Sequence, residues 1–194
     1  WLISVGCGIM YLPLAFASNW GPRELHELLG FTEDRAPHVY ALFFVGVGLG
    51  CPLTGWLSDR WGRRRPFLLA GGLLAALGGF GIALLPTEQA GWAWIILPLW
   101  GVGISSYVLG YPLTAELNPP DAAGSAIACV NFVGMLLAGI MVWLFGVVVE
   151  EISLARGHAS PLPSDYRSGM LGLASFMILS VLVLLGVGDP RVAD

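Results

Sequence analysis

The chain has 194 residues, of which 56% are hydrophobic and only 11% charged, with 9 basic against 13 acidic residues and a formal net charge of −4. A soluble domain carries about 25% charged residues, so this composition excludes one and points to a membrane protein. With the basic residues concentrated in one loop, no nucleic-acid footprint is present.

A membrane-spanning helix needs about 20 mostly apolar residues. Six such runs lie at 1–19, 38–57, 66–86, 91–114, 122–148 and 168–188, and they leave no room for a soluble domain. The strands of a membrane barrel alternate over about ten residues, whereas these runs are continuously apolar. The expected fold class is therefore an all-α membrane protein, six transmembrane helices forming one domain over 1–194. The chain begins at Trp1, inside an apolar run and without an initiator Met or a basic leader. This reads as a start within a longer protein.

The first run contains Pro13, which removes a helix hydrogen bond and predicts a kink or a broken helix. Ser4, Gly8, Tyr11, Ala15 and Ser18 recur at helical spacing and form one small, partly polar face. That face suits either a tight helix contact or a cavity wall, with Tyr11 as the cavity candidate. Residues 20–37 form an acidic connection with a short amphipathic stretch, and Trp20 is placed as an interfacial anchor.

The second run carries Gly46 and Gly50, and the third Gly71, Ala75 and Gly79, spacings that let membrane helices approach closely. Between them lies the turn Gly55–Arg65, GWLSDRWGRRR. Arg60, Arg63, Arg64 and Arg65 supply four of the nine basic residues of the chain. The positive-inside rule places this turn in the cytoplasm. Alternation then puts 20–37 and 149–167 outside, and Glu116–Asp121 and the terminal GDPRVAD inside.

The fourth run opens with Trp92 and Trp94 as an interfacial belt. Farther in, Gly103, Tyr107 and Tyr111 share a face, with the hydroxyls of Ser105 and Ser106 beside them. Aromatic hydroxyls in a membrane helix point at protein or water. In the connection ELNPPD, Asp121 is placed to cap the fifth helix. The fifth run carries one amide, Asn131, on a face with Gly124, Ala128, Met135 and Ala138. It serves either as interhelical glue or as a ligand contact.

Cys7, Cys51 and Cys129 occur singly, without the spacing of a zinc or redox site. His26, His38 and His158 lie in loops or at a helix end, so an intramembrane Ser–His hydrolase is not supported. Neither a cofactor nor a metal is expected, and no enzyme activity. No ionisable group lies centrally in any run, where proton relays and ion sites normally sit.

Gly55, Asp59, Arg60, Gly62, Arg63, Arg64 and Arg65 match without departure the signature loop of the major facilitator superfamily, between the second and third helices of a six-helix unit. The chain is identified as resembling that family. The run ELNPPDAAGSAIACVNFVGMLLAG resembles the second half of bacterial members. The resemblance implies a secondary transporter of the inner (plasma) membrane, multi-pass, with loop 58–65 cytoplasmic, moving a small solute by alternating access. Its partners would be the lipid bilayer, the solute and a missing N-terminal six-helix half of the same chain.

In that family's logic, Gly55 admits a close helix neighbour and Gly62 allows the tight turn. Asp59 faces a helix N-terminus of the other half. The arginines pair with an acid, for which Glu116 and Asp121 are candidate gating partners. Tyr11, Tyr107, Tyr111 and Asn131 are the candidate substrate-lining residues. The alternative is a non-transporting sensor or receptor on the same fold.

Overall fold

The computed structural model describes residues 1–188, so the tail from 189 to 194, expected at the inner side, lies outside the described residues. Eight helices follow in chain order: α1 (Leu2–Asn19), α2 (Gly21–Leu29), α3 (Arg35–Trp61), α4 (Arg65–Leu84), α5 (Ala93–Ser105), α6 (Gly110–Glu116), α7 (Ala123–Ala155) and α8 (Pro163–Leu185). A 3-10 turn at Thr87–Trp92 leads into α5, and another at Ser106–Leu109 joins α5 to α6. Six lengths are long and apolar enough to cross a membrane: α1, α3, α4, the joined stretch Thr87–Glu116, α7 and α8. Among the described residues the fold is all-helical, as the long continuous apolar runs led one to expect.

Boundaries differ from the sequence reading where polar residues continue a helix. The second span runs on to Trp61, so Asp59 and Arg60 belong to the last turn of α3. The fifth extends past Glu150 and Glu151 to Ala155, and the sixth begins at Pro163. Pro13 does not interrupt α1, which is assigned as one helix from Leu2 to Asn19. The fourth span is the broken one instead.

In a bilayer, lipid tails are as apolar as leucine, so close packing rather than water exclusion joins the helices. Small residues make that packing possible. α3 lies against α5, α1 against α7 and α8, α4 against α8 and α5, and α6 against α7. At the α3–α5 crossing, a Cβ on Gly46 would overlap the carbonyl of Pro98, and one on Gly101 would overlap that of Phe43. Only glycine fits at either position. Large side chains fill the spaces beside these contacts: Phe43 meets Trp100 edge-on at 5.2 Å, and Phe16 meets Phe145 at 4.8 Å. Outward, Leu49, Leu77, Phe132 and Trp143 are exposed, a surface suited to acyl chains.

The bundle has two polar ends. One gathers the α3–α4 turn, the end of α6 and the last turn of α8, where Arg65 Nη2 donates to the Leu185 carbonyl. The other gathers α2, the turn before α5 and the α7–α8 loop, where Thr87 Oγ1 donates to Leu28 O at 3.3 Å and Arg167 Nη2 to Leu85 O at 3.3 Å.

Trp20, expected as an interfacial anchor, also ties helices together. Its indole N–H donates to Val142 O on α7 at 3.0 Å, and its ring packs on Phe145 at 5.3 Å. Trp92 and Trp94 are exposed at the start of their span, as an interfacial belt requires.

Candidate functional site: a tyrosine-lined cavity and an arginine turn

Four residues singled out separately in the sequence come together in space. Tyr11 from α1, Tyr107 from the 3-10 break, Tyr111 from α6 and Asn131 from α7 line one cavity with Cys7, Val130, Gly134 and Met135. Tyr11 and Tyr107 meet edge-on with ring centroids 5.3 Å apart, and Tyr107 and Tyr111 follow at 6.3 Å. The Tyr111 hydroxyl donates to Asn131 Oδ1 at 3.4 Å, a long and weak bond. Hydroxyls and an amide loosely paired in this way can exchange one another for a polar guest.

The break Ser106–Leu109 builds this wall. Non-α backbone within a membrane is tolerated where it is buried in protein or lines a cavity, and interrupted helices frame the sites of many transporter folds. The sequence reading treated 91–114 as one continuous run. The signal was present in the density of Gly101, Gly103, Gly110 and Pro112 around the serines. Ser105 and Ser106 are fully buried and donate back to Val102 O and Gly103 O at 2.7 and 2.9 Å. They satisfy the helix at its break and are not among the cavity's lining residues.

The face of α1 serves both of its foreseen roles. Tyr11 looks into the cavity, whereas a Cβ on Gly8 would stand 3.1 Å from Leu137 of α7, a tight helix contact.

The cavity measures about 80 Å³. Small-molecule sites occupy roughly 300–1,000 Å³, so this cavity by itself does not enclose such a ligand. A wider cleft of about 660 Å³ lies at the α2 end, lined by Glu27, Thr87, Arg156, His158, Arg167 and Ser168 among others. There the polar groups are largely committed to structure. Asp165 Oδ1 accepts from Arg156 Nη1 at 2.8 Å, and Oδ2 accepts from His158 Nδ1 at 2.8 Å and from the Leu162 amide at 2.9 Å. The sequence reading did not find this knot, because Arg156, His158 and Asp165 have no recognisable spacing in an irregular loop.

At the opposite end, α3 stops at Gly62, whose φ of 61° is left-handed and whose amide donates to Asp59 O at 3.1 Å. This closes the turn and aims the arginines. Arg64 is the hub: Nη1 donates to Asp59 Oδ1 at 2.6 Å and to Ser58 Oγ at 3.1 Å, and Nε donates to Glu116 Oε1 at 2.8 Å. Its side chain is 11% exposed, against 65% for Asp59 and 27% for Glu116. Arg65 reaches α8, while Arg60 lies over the Trp56 ring at 5.8 Å. Arg63 continues the turn, its amide donating to Ser58 O at 3.2 Å.

One expectation at this end is corrected. Asp121 does not cap α7: the helix begins after Ala122, with no side-chain cap, and Asp121 stands exposed one residue earlier. Gly55 faces open space within this chain: a Cβ built on it meets no atom of the described residues within 4 Å.

The whole chain resembles known membrane proteins. The family model of the major facilitator superfamily matches residues 1–193. YwtG of Bacillus subtilis, a protein named for metabolite transport, is 30% identical over 164 residues, covering 82% of this chain and 31% of its own length. The membrane sensor protein UhpC of Escherichia coli is 26% identical over 180 residues, covering 84% of this chain and 40% of its own. In fold, the inward-open xylose transporter XylE of E. coli superposes with a TM-score of 0.80 at 20% identity, over 97% of this chain and 47% of that one. The chain thus spans less than half the length of these relatives. On the matched family model, the uninterrupted signature turn and the shared fold, the chain belongs to the major facilitator superfamily.

Proposed function

We propose that this chain supplies the second six-helix half of a secondary transporter that moves a small polar solute by alternating access. The observation that carries the reading is the cavity of Tyr11, Tyr107, Tyr111 and Asn131, which offers hydroxyl and amide groups on one wall and leaves the other open. A missing N-terminal half would supply the facing wall and the buried ionisable groups that this half lacks at its midplane. The Gly55–Arg65 turn would lie on the cytoplasmic side of the inner membrane, where its positive charge favours it. There, Asp59 would face a helix N-terminus of the other half, and the open surface at Gly55 would receive that half. Arg64 would hold Asp59 and Glu116 as the latch of the cytoplasmic gate, and Asp121, exposed before α7, would be a second acid available to the arginines. Rocking of the two halves would break and remake these contacts.

The test is flux. The complete protein, with both halves present, reconstituted in vesicles should accumulate a labelled polar solute from a panel of sugars, sugar phosphates and small organic acids. A sensor on the same fold is the second reading, favoured by the similarity to UhpC. It would bind a solute of that panel and show no flux.

A further inference from the structure

α2 is the helix that does not cross the bundle. It lies across one end of the bundle, with Leu25, Leu28 and Leu29 turned inward and between 0% and 3% exposed. On the same inward face sits Glu24, 2% exposed, and neither of its carboxyl oxygens has a hydrogen-bond partner. Its neighbour on α3 is Tyr40, also buried, whose hydroxyl lacks a partner too and interacts electrostatically with Glu24. The contact is close: a Cβ on Gly21 would stand 2.5 Å from the Tyr40 ring.

The titratable and charged groups on the elements packed against α2 do not compensate a charge at Glu24. On α3, Arg35 and His38 are exposed, and His38 Nδ1 donates to Asp34 O at 2.7 Å. On α8, Asp165 is taken by Arg156 and His158, Arg167 donates to Leu85 O, and Tyr166 lies under Arg23 at 5.6 Å. The turn before α5 carries Glu88, exposed, and α1 presents no charged group. On α2 itself Arg23 pairs with Glu27 at 3.9 Å, and His26 Nδ1 donates to Phe31 O at 2.7 Å. An ionised carboxylate stripped of water and partners is among the costliest groups a protein can hold, and it takes up a proton instead.

We propose that Glu24 is a proton-binding site that fastens α2 to α3 and α8: protonated, it is seated with the leucines, and on ionisation it draws α2 off the bundle into water. Burial drives the carboxyl well above the usual carboxylate range. The seated state therefore holds the proton more tightly than the released one. Seating is strongest below the ordinary carboxylate pKa of about 4.3 and weakens by up to about tenfold per pH unit as pH rises toward the raised value. The proton passes to bulk solvent, so no other reactant is needed. The inference does not depend on transport or on membrane orientation, because detergent or nanodisc samples expose both ends to one pH.

Hydrogen–deuterium exchange of the purified protein, corrected for intrinsic exchange, tests it. Protection of amides 24–30 should fall with rising pH in the wild type, by up to about tenfold per unit, while a reference peptide at 12–17 of α1 holds steady. In Glu24→Gln the same amides should be protected without pH dependence, and Glu24→Leu carries the same expectation should the glutamine variant not fold. Equal slopes in wild type and variant, or a flat wild-type profile, would overturn the proposal. Infrared spectra of the wild type provide an arm that needs no variant. A carboxylic C=O band should vanish with the midpoint of the protection change, and its absence would also overturn the proposal.

Discussion

Arg64 reaches 52 residues along the chain to Glu116 at the end of α6, its Nε 2.8 Å away, while its Nη1 holds Asp59 at the end of α3 at 2.6 Å. The two carboxylates differ in setting. Asp59 is 65% exposed and Glu116 27% exposed, so water competes far more for the first pair than for the second.

Stability should follow that difference. A double-mutant cycle between Arg64→Ala and Glu116→Gln is expected to give a coupling of about 1 kcal/mol. The corresponding cycle with Asp59→Asn should give less than about 0.5 kcal/mol, as exposed pairs do. Thermal unfolding in detergent measures both, and equal couplings would contradict the burial argument.

Transport should follow the opposite order at Asp59. Under the proposed function, Asp59→Asn leaves expression, insertion and Tm close to wild type but lowers uptake by about tenfold or more, the equivalent of roughly 1.4 kcal/mol on the gating step. Unchanged uptake would remove Asp59 from the mechanism.

In the cavity, Asn131→Ala is expected to raise KM for the transported solute five- to tenfold, about 1 kcal/mol for one lost hydrogen bond. Tyr111→Phe removes the hydroxyl that donates to Asn131 and should have a smaller effect in the same direction. If Asn131 were interhelical glue alone, Asn131→Ala would lower Tm and leave KM unchanged.

At the α3–α5 crossing, Gly46→Val places a side chain where the Pro98 carbonyl already lies. The helices must separate, at a cost of about 1–3 kcal/mol or more. Gly48→Val, which faces open space on the same helix, should change Tm little. Size-exclusion profiles and melting curves of the pair separate packing from helix propensity.

The α7–α8 loop should depend on Asp165. Asp165→Asn weakens the acceptor shared by Arg156, His158 and the Leu162 amide. It should lower Tm and expose residues 156–162 to proteolysis, while Asp34→Asn, at an exposed acid, should do neither.

The sequence made the spans legible because a bilayer demands long apolar runs, and it made the turn legible because Gly62 and the arginines are local chemistry. The tyrosine cavity was legible in part: helical spacing put Tyr107 and Tyr111 on one face, but only tertiary packing could bring Tyr11 and Asn131 beside them. Glu24 lies in the stretch 20–37 that the sequence showed only as an acidic, partly amphipathic connection. Its burial depends on which face of α2 meets Tyr40, and that is not written in the local pattern. Asp121 shows the reverse error, in which a capping role inferred from position is not met, because α7 starts after Ala122.

The short helix α6 runs only from Gly110 to Glu116, yet it carries Tyr111 of the cavity near one end and the acceptor of Arg64 at the other. Five residues of α-helix are about 7.5 Å, and a segment that short does not bend. Under the proposed function it would act as a short rigid lever meeting the 3-10 break at one end and Arg64 at the other. A guest that pushed the Tyr111 end by about an ångström would then shift Glu116 by at least a comparable amount, out of ordinary hydrogen-bond range of Arg64. Occupancy of the cavity and closure of the arginine turn would be two readings of one helix tilt.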